Sequence, residues 1–188
     1  MSELSNFQIA MKVVLHWEGG WVNNPDDPGG ETIFGISRIH HPGWAGWTTV
    51  DAAKANPDFS AELMDNTGLR QLAVDFYEQN FWKQVHGDEL PPQLALLVFD
   101  MAVHSGPLVA MRQLQVTLAV LVDGVCGPKT IKAAWDAGRA AVYEFVYLRV
   151  LHYVDLILDH PEKRPWASNF IKRIIYLAAV AFNDVPPG

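Results

Sequence analysis

The segment Glu18 to Ile36, EGGWVNNPDDPGGETIFGI, restricts the fold more than any other part of the chain. Upstream of it, Phe7, Met11 and Val14 recur at helical spacing. Gly19 and Gly20 then stop that helix, because glycine takes left-handed cap angles at little cost. Asn23, Asn24, Pro25, Asp26, Asp27, Pro28, Gly29 and Gly30 follow. So many fixed-φ and left-handed-tolerant residues in a row force a compact reversal. Trp21-Val22 before the reversal and Thr32-Ile33-Phe34 after it read as two short strands of a small hairpin.

The same segment carries chemistry. Glu18 falls four residues after Val14, on the apolar face of its helix and at the helix end. Partial burial disfavours a carboxylate, and so does the negative end of the helix dipole. Both push the Glu18 pKa up, as a general acid requires. The plainer alternative is a terminal Glu that swings out to solvent. Asp26, Asp27 and Thr32 return towards it across the reversal. A protonated acid facing an ionised carboxylate is the pair that cleaves a glycosidic bond: one expels the leaving oxygen, the other orients water or stabilises positive charge. A surface loop made acidic for solubility is the competing explanation of Asp26 and Asp27.

The order Glu18, eight intervening residues, Asp27 and then Thr32 resembles the Glu–Asp–Thr set of the small phage lysozymes, with one residue fewer before the Thr. More closely, EGGWVNNPDDPGGETIFGIS resembles the EGGY-type signature of glycoside hydrolase family 108. The likeness continues collinearly through Tyr77 to Gly106 and Leu114 to Thr130, and weakens beyond Trp135. That family consists of N-acetylmuramidases found in phage endolysins and bacterial secretion-activating proteins. The resemblance implies Glu18 as catalytic acid, the assignment that the helix also suggests. It implies Asp27 as the second carboxylate, with Asp26 its nearest rival, and Thr32 as a holder of water. Two departures stand out. Trp21 replaces the usual Tyr, keeping an aromatic platform but losing a phenol, and His104 stands where Asn is common, placing a titratable group there.

The fold expected is mainly α, lysozyme-like α+β: helices around a central apolar helix, with one small β-hairpin. Leu69 to Val85, Pro107 to Leu121, Arg139 to Leu158 and Trp166 to Phe182 show helical periodicity, and Leu94 to Val103 is apolar all round, as a central helix is. Pro128 opens a further helix. One domain over residues 1–188 is expected from the length. Within it, residues 107–135 resemble part of a peptidoglycan-binding helical module. The favoured reading there is a helix–turn–helix corner in which Asp123-Gly124 and Gly127-Pro128 serve the backbone.

Among the aromatics, Trp21, Phe34 and Tyr77 are candidate sugar platforms, and Trp44 and Trp47 a candidate lid, although aromatics at helical spacing are more often core. Asp100 on the apolar helix needs a partner. It lines the substrate site with His104, one turn on, or ties the central helix down.

With net charge −7, an electrostatic grip on nucleic acid or an anionic membrane is not expected. The single cysteine, Cys126, has no internal partner, which fits synthesis in a reducing compartment. No basic segment followed by an apolar run opens the chain, and no apolar run reaches bilayer length. The expectation is a chain made in the bacterial cytoplasm, a phage host's if this is an endolysin, and acting on the periplasmic wall after release. It is expected to work as a monomer on peptidoglycan glycan strands, with no cofactor and no metal, since no His/Cys ligand spacing occurs. Two other functions stay open: a lytic transglycosylase using Glu18 alone, and a non-catalytic wall-binding protein.

Overall fold

The computed structural model describes residues 4–17, 19–23, 29–56 and 58–183. Glu18, Asp26 and Asp27 lie outside these residues. Among those described there are eight α-helices and one two-stranded antiparallel sheet, the mainly α, lysozyme-like arrangement expected. The chain divides into two compact units, Met1–Val13 with Phe81–Gly188, and Val14–Asn80.

Helix α1 spans Asn6–Trp17. A reciprocal cap starts it: the Gln8 amide donates to Ser5 Oγ at 3.2 Å, and the Ser5 amide donates to Gln8 Oε1 at 2.9 Å. Two amides that the first turn leaves unpaired are thereby satisfied. Phe7, Ala10, Met11, Val13 and Val14 are buried, so the apolar face read from the sequence is the packed one.

In the Val14–Asn80 unit the sheet differs from expectation. Strand β1 (Thr32–Ile33) pairs with β2 (Ile36–Ser37) around Phe34-Gly35, in the register Thr32↔Ser37 and Ile33↔Ile36. Both turn residues have positive φ, 50° and 77°. A two-residue hairpin needs that combination for its twist to match the strands. A phenylalanine seldom adopts it. Here the Tyr77 hydroxyl donates to the Phe34 carbonyl at 2.8 Å, and the Phe34 side chain is buried. Val22 joins only through one isolated bridge to Thr32, with both hydrogen bonds at 2.8 Å. The expected pairing of Trp21-Val22 with Thr32 to Phe34 is therefore confined to that bridge.

Helices α2 (Gly46–Ala53), α3 (Phe59–Asp65) and α4 (Thr67–Tyr77) complete this unit. Asn66 caps α4, its side chain accepting from the Leu69 amide at 2.8 Å. A π-helical turn, Glu78–Trp82, continues α4.

The other unit is built around α5 (Pro92–Ser105), buried without interruption from Leu94 to Ala102. Gly106, at φ 88°, ends it, and Pro107 starts α6 (Pro107–Thr117). Helix α7 (Pro128–Asp159) breaks at Gly138, whose φ/ψ of 55°/−142° no other residue type adopts readily. The helix expected over 139–158 is the part beyond this kink. A 3₁₀ segment (Pro161–Trp166) leads into α8 (Ala167–Asn183). No helix among the described residues is long and apolar enough to cross a membrane.

Candidate active site

Of the three expected catalytic residues, Thr32 is the one within the described structure. It sits on β1, tied to Val22 through both backbone groups, and its hydroxyl donates to the Gly30 carbonyl at 3.3 Å. The bridge also fixes the neighbouring residue, Trp21, which is partly exposed.

Trp21 is held by a residue that sequence reasoning passed over. Its indole Nε1–H donates to Glu31 Oε1 at 2.9 Å, and its ring meets Phe59 edge-on, centroids 4.7 Å apart. The Glu31 side chain is only 9% exposed. Two cations compensate it: Arg38 Nε at 2.7 Å and Lys54 Nζ at 2.8 Å. Asp51 on α2 holds both from the outer side, bidentate to Arg38 at 2.6 and 3.0 Å and to Lys54 at 3.1 Å. Arg38 also lies over the Trp47 ring, 4.3 Å from its centroid. Burial alone would raise the Glu31 pKa. Hydrogen bonds from Lys54 and Trp21, with the charges of Lys54 and Arg38, outweigh it and hold Glu31 ionised, below the usual carboxylate range. A sequence signal did exist: a lone Glu inside a glycine-rich turn, next to the strand carrying Thr32. The distant cations that make it affordable to bury were not legible there.

The other expected platforms differ from Trp21. Phe34 and Tyr77 are 2% exposed and hydrogen-bonded to each other through the Phe34 carbonyl. With both rings packed away, neither offers a face to a sugar, and both belong to the core of their unit. Trp44 and Trp47 are pinned: Trp47 Nε1–H donates to the His41 carbonyl at 2.7 Å, Trp44 Nε1–H to the Leu72 carbonyl at 3.3 Å, and the rings meet edge-on at 5.1 Å. Gly46 leaves space for the Trp44 ring, which a Cβ there would strike at 2.2 Å.

Asp100 and His104 belong to the other unit. Asp100 has no exposed surface. Arg149 of α7 donates to its Oδ2, and Arg173 of α8 donates from Nε to its Oδ1 at 2.8 Å. Arg149 donates further to the Tyr153 hydroxyl at 2.9 Å. Burial opposes ionisation of Asp100, but the two guanidinium charges prevail and bring its pKa down to about 2. This carboxylate is spent on tying α5 to α7 and α8, the structural side of the alternative stated above. His104 keeps an edge open to solvent while its ring packs against Tyr153 and Phe170, with centroids at 6.2 and 5.9 Å. Burial of the ring, then the Arg173 charge, lower its pKa to about 4. Among the described residues no three His, Cys, Asp or Glu side chains gather as a metal site.

The family model for glycosyl hydrolase 108 matches residues 11–106, from the middle of α1 to the end of α5. The chain belongs to glycosyl hydrolase family 108. A solved structure of SagA from Brucella abortus is similar over nearly the whole length: 30% identity, 94% of this chain and 93% of that one, with a TM-score of 0.69. No curated protein matches. Membership makes this chain a peptidoglycan-degrading glycoside hydrolase. The family 108 match contains the whole Glu18–Ile36 motif and the Trp21–Glu31 pair.

Proposed function

We propose that this family 108 enzyme is an N-acetylmuramidase of lysozyme type, hydrolysing the β-1,4 bond between N-acetylmuramic acid and N-acetylglucosamine. The observation that carries this reading is the family match across the Glu18–Asp27–Thr32 motif. Glu18 protonates the bridging oxygen as positive charge develops at the anomeric carbon. Asp27 directs water or stabilises that charge, and Thr32 holds the water. In the sequence Glu18 follows Val14 by four residues, the spacing that carries an apolar helix face forward, and a carboxyl on such a face favours its protonated form. A separation of about 6.5–9.5 Å between the two carboxyls gives inversion, and about 5–5.5 Å retention. We assign the enzyme the role of an endolysin, acting on the wall once the membrane is breached.

The test is turbidity loss of permeabilised bacterial cells, with mass spectrometry of the released fragments. Glu18→Gln is expected to lower the rate about a hundredfold to ten-thousandfold without unfolding the protein. Asp27→Asn costs much less if its role is positioning. Reducing N-acetylmuramic acid ends support hydrolysis of the proposed bond. Anhydro ends would assign a lytic transglycosylase instead, and lysis by Glu18→Gln at the wild-type rate would remove the mechanism.

A further inference from the structure

We infer that Glu31 is the positioning residue for the Trp21 sugar platform, which it orients by accepting the indole N–H. This rests on the glycosidase reading above and extends it to how substrate is gripped. Trp21 lies three residues beyond Glu18, and it is the expected platform that keeps exposed surface; Phe34 and Tyr77 have none to offer. An indole on a turn-rich segment has two free torsions, and stacking on a pyranose face requires both to be set. Two contacts set them here, the Nε1–H bond to Glu31 and the edge contact with Phe59.

Glu31 is itself held through both its backbone and its side chain. Its carbonyl accepts from the Arg38 amide at 2.8 Å, and its carboxylate lies between Arg38 and Lys54, both anchored by Asp51. An ionised acceptor makes the stronger kind of hydrogen bond to an N–H donor. With both oxygens engaged and little surface exposed, Glu31 is unsuited to proton transfer and suited to holding a ring. The family's usual Tyr has no N–H at this place. The indole of Trp21 and the carboxylate of Glu31 therefore act as one unit in this chain.

The experiment is a cycle of Glu31→Gln, Trp21→Phe and the double variant. For each, kcat and KM are measured on solubilised peptidoglycan, and Kd for the same fragments is measured in a Glu18→Gln background. Glu31→Gln removes the charge but keeps the size. It is expected to raise KM and Kd about fivefold, with kcat within about a factor of two. In the Trp21→Phe background the same change is expected to add nothing. The Trp21 indole N–H resonance, identified by its loss in Trp21→Phe, shifts upfield in Glu31→Gln. Equal effects of Glu31→Gln in both backgrounds, an unmoved indole resonance, or a fall in kcat at constant KM would each overturn the inference. If Glu31→Gln does not fold, Glu31→Asp, which keeps the charge but draws the acceptor oxygens back from the indole by one methylene, replaces it in the cycle with the same expectations. The Kd and resonance readouts do not depend on which bond is cut, so failure of the proposed reaction and failure of this inference are separable.

Discussion

Two carboxylates, Glu31 in one unit and Asp100 in the other, are buried between pairs of cations. Their energetics differ. Glu31 has Arg38 and Lys54 against it, with Asp51 closing a neutral four-membered set near the surface. Asp100 is fully enclosed with Arg149 and Arg173, an excess of one positive charge. Removing one partner of such a set strands the others in a poorly hydrated place. Arg149→Met leaves Asp100 paired with Arg173 but takes the donor from its second oxygen and from the Tyr153 hydroxyl, and is expected to cost about 1–3 kcal/mol, read as a lowered midpoint in urea unfolding. A loss below about 1 kcal/mol would mean that water reaches Asp100 and relieves it.

At the scale of the element, the corner between α6 and α7 shows how one side chain organises a loop. Gln115 is buried on α6. It accepts from the Gly124 amide at 2.7 Å, and it donates to Asp123 Oδ1 at 2.7 Å and to the Val125 carbonyl at 3.0 Å. Asp123 accepts from the Val125 amide at 2.8 Å. Gly124 takes φ 81°, and a Cβ there would strike Leu108 at 2.5 Å. This is the helix–turn–helix corner favoured from the sequence, with Asp-Gly serving the backbone. Gln115→Leu keeps the volume and removes three hydrogen bonds that hold the loop to α6. The expected cost is about 2–3 kcal/mol, with faster amide exchange confined to residues 118–127. The hairpin turn at Phe34-Gly35 is the contrasting case. Its left-handed Phe34 is held by Tyr77, from a helix more than forty positions away in sequence, so local propensity does not reveal it.

For the molecule as a whole, the charges set an acid limit. Asp100 titrates at about 2 in the fold against an ordinary 3.8, so its contribution is complete above 3.8 and is lost as pH falls towards 2. His104 is lowered from 6.5 to about 4. The unfolded chain takes up that proton first, so acid destabilises the fold between those values too. The open edge of His104 makes this the shallower limb. Melting followed by circular dichroism is expected to show Tm falling gently below about pH 6.5 and steeply below about 4. His41 and His152, also lowered by burial, share the first limb, so His104→Gln should reduce it and keep the second; an unchanged first limb would remove His104 as a contributor. The sequence alone determined α1 and the helices from α4 onward, because the apolar period of α1 and the all-round apolarity of α5 are local signals. The short helices α2 and α3 were not legible there, where Trp44 and Trp47 read as a lid. The Glu18–Ile36 motif likewise determined the family. Tertiary structure decided which carboxylates are buried with cations, that Phe34 and Tyr77 face inward, and that Trp21 is held by Glu31. Each of these depends on partners brought from distant positions in the chain. A buried charge or a strained turn is stable only where such partners converge, and periodicity in a sequence carries no record of that convergence.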